Sequence, residues 1–464
     1  MPNTDLLILG AGLTGLAAAH TARRAGLRVA VIDQAAQPGG VLQSRQRQGY
    51  TLDFGANSMA LTPDLQALID DLDLHDHLLP AQPAGNQRLL FRRGRLHPVV
   101  PKPLALLRSG QLSGSGKLRL LMEPLVPKLQ AAREETVAEF FTRRLGQEAF
   151  AYLVEPVLTG IYAGDAQRMS VQAVLPQVQQ MEQAHGSLFG ALRHLQNSRP
   201  GGGLPQRKIA SFDGGMATLI RALAGPLGED LHLRSRVLRV HPDPETGGFW
   251  TEVEQAGHHQ DWRSACVLWT LPAQAAPALD ELAPEVSLRI HGIPYPPMLM
   301  YALGYRRADL GRPLDSFGFL VPSATQQPLL GAIWNSAIFP GKAPKYEALF
   351  TLFVGGMGHM GASETELLAQ AEAARAMFER CMGITGAPTF VSHYHWPRAI
   401  PQYELGHSEL VRQIRALEAR WPGFFVSANW LDGVSVGDRA KGGREVVSRM
   451  QAMDWRHMTV VGEG

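Results

Sequence analysis

The first pattern along the chain is a short apolar run, DLLIL at residues 5–9. Its near-continuous hydrophobicity suits a strand buried on both faces of a parallel sheet. GAGLTG at 10–15 follows at once, and then LAAAHTARRAG at 16–26, rich in helix formers. A second apolar run over 27–32 ends in Asp33. The predicted order is therefore strand, glycine turn, helix, strand, acid. Further along, DFGANS at 53–58 closes another predicted strand. FDGGM at 212–216 opens a predicted helix through Leu223, and residues 237–240 follow in an alternating, strand-like segment. NWLDGVSVGD at 429–438 leads into a helix predicted from about Arg439. His393 and His395 alternate on a predicted strand and so share one face.

Composition narrows the classes. The chain has 464 residues, which at about 150 per domain corresponds to three domains' worth of sequence. Glycine (48) and proline (32) are too abundant for a long helical bundle, and a 45% hydrophobic content argues against disorder. The two cysteines, Cys266 and Cys381, are too far apart in sequence to suggest a disulfide framework or a cysteine metal site. Residues 1–5 carry no basic n-region, so no signal peptide is expected. No run of about 18 apolar residues occurs, which excludes an ordinary spanning helix.

The net charge of +2 hides an uneven distribution. Residues 86–133 hold ten Lys/Arg (88, 92, 93, 95, 102, 108, 117, 119, 128, 133) against Glu123 alone. That segment is +9 and the remainder −7. It also carries PLALLRSG and LLMEPLVPKL, apolar runs beside the basic residues. The combination suits peripheral docking on an anionic leaflet, worth roughly 1 kcal/mol per basic residue at the surface. A solvated helical face and the steering of a polyanionic substrate also fit the charge. Nucleic acid is not expected as a partner, because no known binding motif is present.

The N-terminal order carries chemistry. Gly10 permits a tight turn, Gly12 lets the backbone approach a diphosphate, and Gly15 lets the helix pack closely on the strand. The helix start offers N–H donors to phosphate. Asp33, 18 residues after Gly15, is placed to accept from ribose hydroxyls. His407 lies near His393 and His395 in sequence, but no acidic or cysteine ligand is close by, so no metal site is expected. Neither a GxSxG nor a Walker loop is present.

Pro38-Gly39-Gly40-Val41 and the DFGANS segment give a second glycine pair after Asp33. This pattern resembles the FAD-binding proteins of the amine oxidase and porphyrinogen oxidase superfamily. Asp33 stands where those proteins usually carry Glu, and Ala56 where Pro is common. EPVLTGIYAGD at 155–165 is the sharpest block. On its residues alone it reads as a buried loop with two positive-φ glycines. It resembles the EPxxxGxYAGD segment of the oxygen-dependent protoporphyrinogen oxidases and their coproporphyrinogen-oxidising relatives. WPRAIPQY at 396–403, with Gly406-His407, and GVSVGD at 433–438 agree with the same family.

The resemblance implies an α/β fold: a discontinuous Rossmann-like FAD-binding domain, a mixed-sheet substrate domain and an inserted helical, membrane-associated domain. The expected division is FAD domain 1–68, insertion 69–205, FAD domain 206–280, substrate domain 281–424 and FAD domain 425–464. The implied cofactor is FAD, held by Gly10, Ala11, Gly12, Leu13, Thr14, Gly15, Asp33, Gln34, Gly39, Gly40 and Val41. Gly55, Ala56, Asn57, Ser58, Val237, Asn429, Val434, Ser435 and Val436 complete that set. Arg88 is the expected partner of a substrate propionate, because its fork accepts a carboxylate bidentately. Gly160, Leu320, Ile333 and Phe353 are expected against the macrocycle. No side chain is assigned as catalytic.

The implied activity is six-electron oxidation of protoporphyrinogen IX in haem biosynthesis, with O2 as acceptor and H2O2 as product. The expected location is cytoplasmic and peripheral on a membrane surface. Neighbouring haem-pathway enzymes and a second copy of the chain are further implied partners. Coproporphyrinogen III oxidation stays open, since a second cation (Arg92, Arg93, Arg95 or Lys102) would suit its four carboxylates. Another flavin amine oxidase or desaturase activity stays open too, as does a non-catalytic flavin-binding scaffold.

Overall fold

The computed structural model describes residues 3–99, 110–129, 133–197, 208–243 and 247–453. Lys102 and Arg108 of the basic segment, with most of PLALLRSG, lie outside the described residues.

The first strand, Asn3–Leu9, sits inside a seven-stranded sheet, between Val29–Ile32 and His258–Trp269, parallel to both. Leu231–His232 extends one side and Phe424–Val426 pairs with the end of His258–Trp269, so five strands run parallel. Ser235–Pro242, Phe249–Gln255 and the early part of His258–Trp269 form an antiparallel meander on the other side. Because side chains alternate along a strand, Leu6 and Ile8 enter one core and Leu7 and Leu9 another. The first core is covered by helices Leu13–Arg24, Ala217–Ala224 and Val436–Gln451. The second is covered by Pro284–His291 and His407–Arg420. Helices on both faces explain the continuous hydrophobicity of the first strand.

A second seven-stranded sheet runs in the order Phe390–Trp396, Met298–Arg306, Glu347–Gly355, Gly331–Ile333, Gly318–Leu320, Leu89–Arg92, Arg95–Pro98. It is antiparallel except where Gly318–Leu320 meets Leu89–Arg92. The last two strands come from the segment expected to be a helical insertion, so part of that segment builds this sheet instead. One face packs on the helix Glu364–Met382 through Tyr301, Phe319, Phe350 and Phe378. Asp53, ending the separate two-stranded ribbon Ser44–Arg47 and Tyr50–Asp53, forms a buried ion pair with Lys342 (2.9 Å). Asn57 accepts from Asn335 Nδ2 (2.6 Å), whose Oδ1 accepts from Thr351 of the second sheet (2.9 Å).

The remaining helices, among them Val137–Leu145, Glu155–Tyr162, Pro176–His185 and Leu188–Asn197, form a third body. Its centre holds Glu123 and Arg144, both fully buried and ion-paired. Glu123 also accepts from Leu188 N–H (2.8 Å) and Phe189 N–H (3.2 Å), so a buried carboxylate caps the helix start. Among the described residues no helix is long and apolar enough to cross a membrane.

Candidate active site

Gly10 and Gly15 are demanded by packing. Gly10 has φ +114°, and a Cβ there would lie 2.3 Å from Thr270 Oγ1. A Cβ on Gly15 would lie 1.9 Å from Gly10 O, the close helix-on-strand contact that the spacing implies. Gly12 differs: it caps the helix Leu13–Arg24 with no side-chain bond, and a Cβ there meets nothing within 4 Å. The backbone at Gly12 thus borders open space, as close approach of a diphosphate requires. Asp33 Oδ2 accepts from Ala11 N–H (2.7 Å) and Oδ1 from Ala35 N–H (2.8 Å), so its carboxylate locks the glycine turn. Ser235 N–H donates to Asp33 O (2.9 Å), which brings Val237, two residues on, to the same end of the sheet.

The second glycine pair lies against the first. Gly39 N–H donates to Ala11 O (2.7 Å), and Gly40 packs beside Gly12. Val41 is half-exposed, and its carbonyl lies where a Cβ on Gly55 would be, at 1.9 Å. Asn57 is buried and its Oδ1 is taken by Asn335, which in turn accepts from Thr351 of the second sheet.

The blocks that carry the resemblance meet in space. EPVLTGIYAGD is not a loop: Glu155–Tyr162 is helical, and the positive φ falls on Ala163 (50°), not on Gly160 or Gly164. Pro156 sits in the first turn, where its missing N–H costs nothing. Gln402 Nε2 donates to Tyr162 O (2.9 Å), and Tyr403 OH is shared between Asn429 O and Gly433 N–H. Trp396 Nε1 donates to Phe54 O. Asn429 Oδ1 accepts from Tyr295 OH (3.1 Å). Burial raises the Tyr162 phenol to about 12, with Asp438 adding to the shift. The terminal helix starts at Val436, earlier than expected, because Ser435 and Asp438 form a capping box. Val434 packs against the helical body, next to that cap.

Leu320, Ile333 and Phe353 share one sheet face. Leu320 pairs with Gly331, Gly331 with Phe353, and Ile333 lies two residues beyond Gly331. All three are half-buried, whereas Phe319, Ala332 and Leu352 on the opposite face are buried in the core. Gly160 sits over this face, since a Cβ there would lie 2.7 Å from Leu320 Cδ2. Arg88 stands two residues ahead of Leu90, the partner of Leu320. Its guanidinium lies over the Phe317 ring at 4.7 Å, and the residue as a whole is exposed. Partial burial holds it below the ordinary arginine pKa, and no carboxylate among the described residues pairs with it.

The histidines are committed elsewhere. His407 Nε2 donates to Trp430 O (2.8 Å), and its ring stacks on Tyr403 at 4.4 Å. His393 and His395 both face Glu364, a carboxylate that sequence spacing does not reveal. No group of three His, Cys, Asp or Glu suited to a metal occurs among the described residues. Sequence reasoning missed Tyr295 and the role of Tyr403, because both matter only through where their hydroxyls end.

The flavin containing amine oxidoreductase family matches residues 13–450. The chain belongs to that family. Mitochondrial protoporphyrinogen oxidase of Nicotiana tabacum is 31% identical, over 94% of this chain and 92% of the relative. Coproporphyrinogen III oxidase of Bacillus subtilis is 26% identical, over 96% of this chain and 97% of the relative. The crystal structure of a candidate protoporphyrinogen oxidase from Exiguobacterium superposes with a TM-score of 0.78 at 24% identity, covering 97% and 99% of the two chains. The protein is a flavin-dependent oxidoreductase and its cofactor is FAD. The open backbone at Gly12 and the turn locked by Asp33 fit that dinucleotide.

Proposed function

We propose that this protein oxidises protoporphyrinogen IX to protoporphyrin IX, passing six hydrogens to three O2 as H2O2. The observation that carries the reading is the half-buried apolar face of Leu320, Ile333 and Phe353, covered by Gly160, with Arg88 beside it and free of any carboxylate among the described residues. Arg88 binds one propionate through its fork. Leu320, Ile333 and Phe353 hold the macrocycle and exclude water, and Gly160, packed on Leu320, faces it through its backbone. Gly10 to Gly15, Asp33, Gln34, Gly39 to Val41, Gly55 to Ser58, Val237, Asn429 and Val434 to Val436 hold the cofactor. Bound FAD supplies the hydride acceptor and the site of O2 reduction.

Coproporphyrinogen III is the second reading. Of the cations that would serve its extra carboxylates, Arg92 is spent on Glu148 (2.8 Å) and on the Tyr152 ring (4.2 Å). Arg93 and Arg95 are exposed, and Lys102 lies outside the described residues. Arg92 is thereby removed as a partner for a further carboxylate. A desaturase or amine oxidase reading leaves Arg88 without a role.

The protein also docks peripherally on an anionic membrane in this reading. Leu118, Leu121, Met122 and Leu125 (78% exposed) are large apolar side chains left exposed within the basic segment, which supports it. The activity is tested with purified yellow protein and reduced protoporphyrinogen IX in air. Porphyrin fluorescence should appear faster than autoxidation. Bound FAD with no acceleration would overturn this reading and leave coproporphyrinogen III, another amine oxidase or desaturase substrate, or the scaffold.

A further inference from the structure

The first turn of the C-terminal helix carries a charge that nothing among the described residues satisfies. Arg439 is only 8% exposed, and its Nε, Nη1 and Nη2 all lack a hydrogen-bond partner there. A guanidinium has five donors and stays charged, so burying it unpaired is strongly unfavourable unless an acceptor arrives.

The groups around it are already engaged. Asp432, Tyr403, Asp438 and Tyr295 are the ionisable residues whose charge Arg439 senses. Asp438 Oδ2 accepts from Ser435 N–H (3.2 Å) and Oγ (2.6 Å), and Asp432 Oδ1 accepts from Arg415 (3.3 Å). Tyr403 and Tyr295 hydroxyls are used on Asn429. Burial holds the Arg439 guanidinium below its ordinary pKa, with Asp432 opposing. One turn further on, a Cβ on Gly443 would lie 2.3 Å from Thr14 O, so this helix starts alongside the helix that opens at Gly12.

We propose that Arg439 is a cofactor-binding residue whose guanidinium donates to an oxygen acceptor of bound FAD. The inference rests on the placement of FAD between the two helix starts. FAD presents such oxygens at its diphosphate and at the pyrimidine edge of the flavin, and a planar fork suits either.

The test titrates wild-type, Arg439→Met and Arg439→Lys apo-protein with FAD and with riboflavin, which lacks the diphosphate. Midpoint potentials of the holoproteins are measured in parallel. Arg439→Met should bind FAD at least tenfold more weakly, Arg439→Lys should recover part of the loss, and the apo Tm of Arg439→Met should not fall. If the acceptor is the diphosphate, riboflavin affinity and the midpoint hold. If it is the pyrimidine edge, riboflavin binding weakens too, and the midpoint falls about 30 mV per tenfold loss of preference for the reduced form. Should Arg439→Met not fold, Arg439→Gln makes the same comparison. Wild-type FAD affinity and midpoint in the uncharged variant overturn the proposal. Gly12→Val separates the two failures. If it also binds FAD normally, the placement of FAD fails; if it loses FAD while Arg439→Met does not, only the role of Arg439 fails.

Discussion

Arg88 has no carboxylate partner among the described residues, so its loss should be felt by the substrate and not by the fold. A charge-assisted hydrogen bond is worth about 1.5–3 kcal/mol, and partial exposure puts Arg88 near the lower end. Arg88→Ala should therefore reduce kcat/KM for protoporphyrinogen IX about tenfold. Its Tm should stay close to wild type; equal kcat/KM in the two proteins would remove Arg88 from the site. His407 makes the opposite case, a titratable group spent on structure. It donates to Trp430 O, and burial holds its pKa down. A depressed histidine contributes stability that is complete above its unfolded pKa of about 6.5 and is lost as pH falls below that value through the lower folded one. Wild-type Tm should thus fall below pH ~6.5 more steeply than that of His407→Gln. Parallel curves would show that His407 does not carry the dependence. Neither role is legible in sequence, where His407 invites a metal reading and Arg88 is one of ten cations in a run.

Elements are legible where the signal is local. Strand, glycine turn, helix, strand and acid stand within 31 residues, from Asn3 to Asp33, and Gly10 and Gly15 each have a steric reason. Residues 155–165 are misread as a loop because glycine is a weak helix former, yet tertiary packing on Leu320 demands Gly160 inside a helix. The end of that helix depends on a left-handed Ala163, which composition does not announce. The terminal helix starts earlier than expected because a serine and an aspartate three residues apart cap it. Its contact with the first helix gives an element-scale expectation. Gly443→Ala places a methyl against backbone atoms of Thr14 and Ala18, which cannot yield as a side-chain tip would. It should cost about 1–3 kcal/mol, read as a lower Tm by calorimetry. An unchanged Tm would mean that the two helices separate freely.

Across the whole molecule, three distant blocks join in one hydrogen-bonded cluster: Tyr162 from the helical body, Gln402 and Tyr403 after the second sheet, and Asn429 and Gly433 before the last helix. No pattern within any one block shows that the others are its neighbours. The net charge of +2 conceals the surface in the same way, since the basic segment carries exposed Leu118 and Leu125 that the total does not register. Leu118→Glu with Leu125→Glu should reduce cosedimentation with anionic vesicles while leaving activity in detergent unchanged. Equal cosedimentation would move the docking surface elsewhere. The porphyrinogen assignment itself is tested most directly by kcat/KM of the FAD-loaded protein for protoporphyrinogen IX and coproporphyrinogen III, followed by porphyrin fluorescence in air. A higher value for protoporphyrinogen IX, and oxidation of it well above the enzyme-free rate, is the expected result; oxidation of neither porphyrinogen above that rate by protein carrying FAD would contradict it.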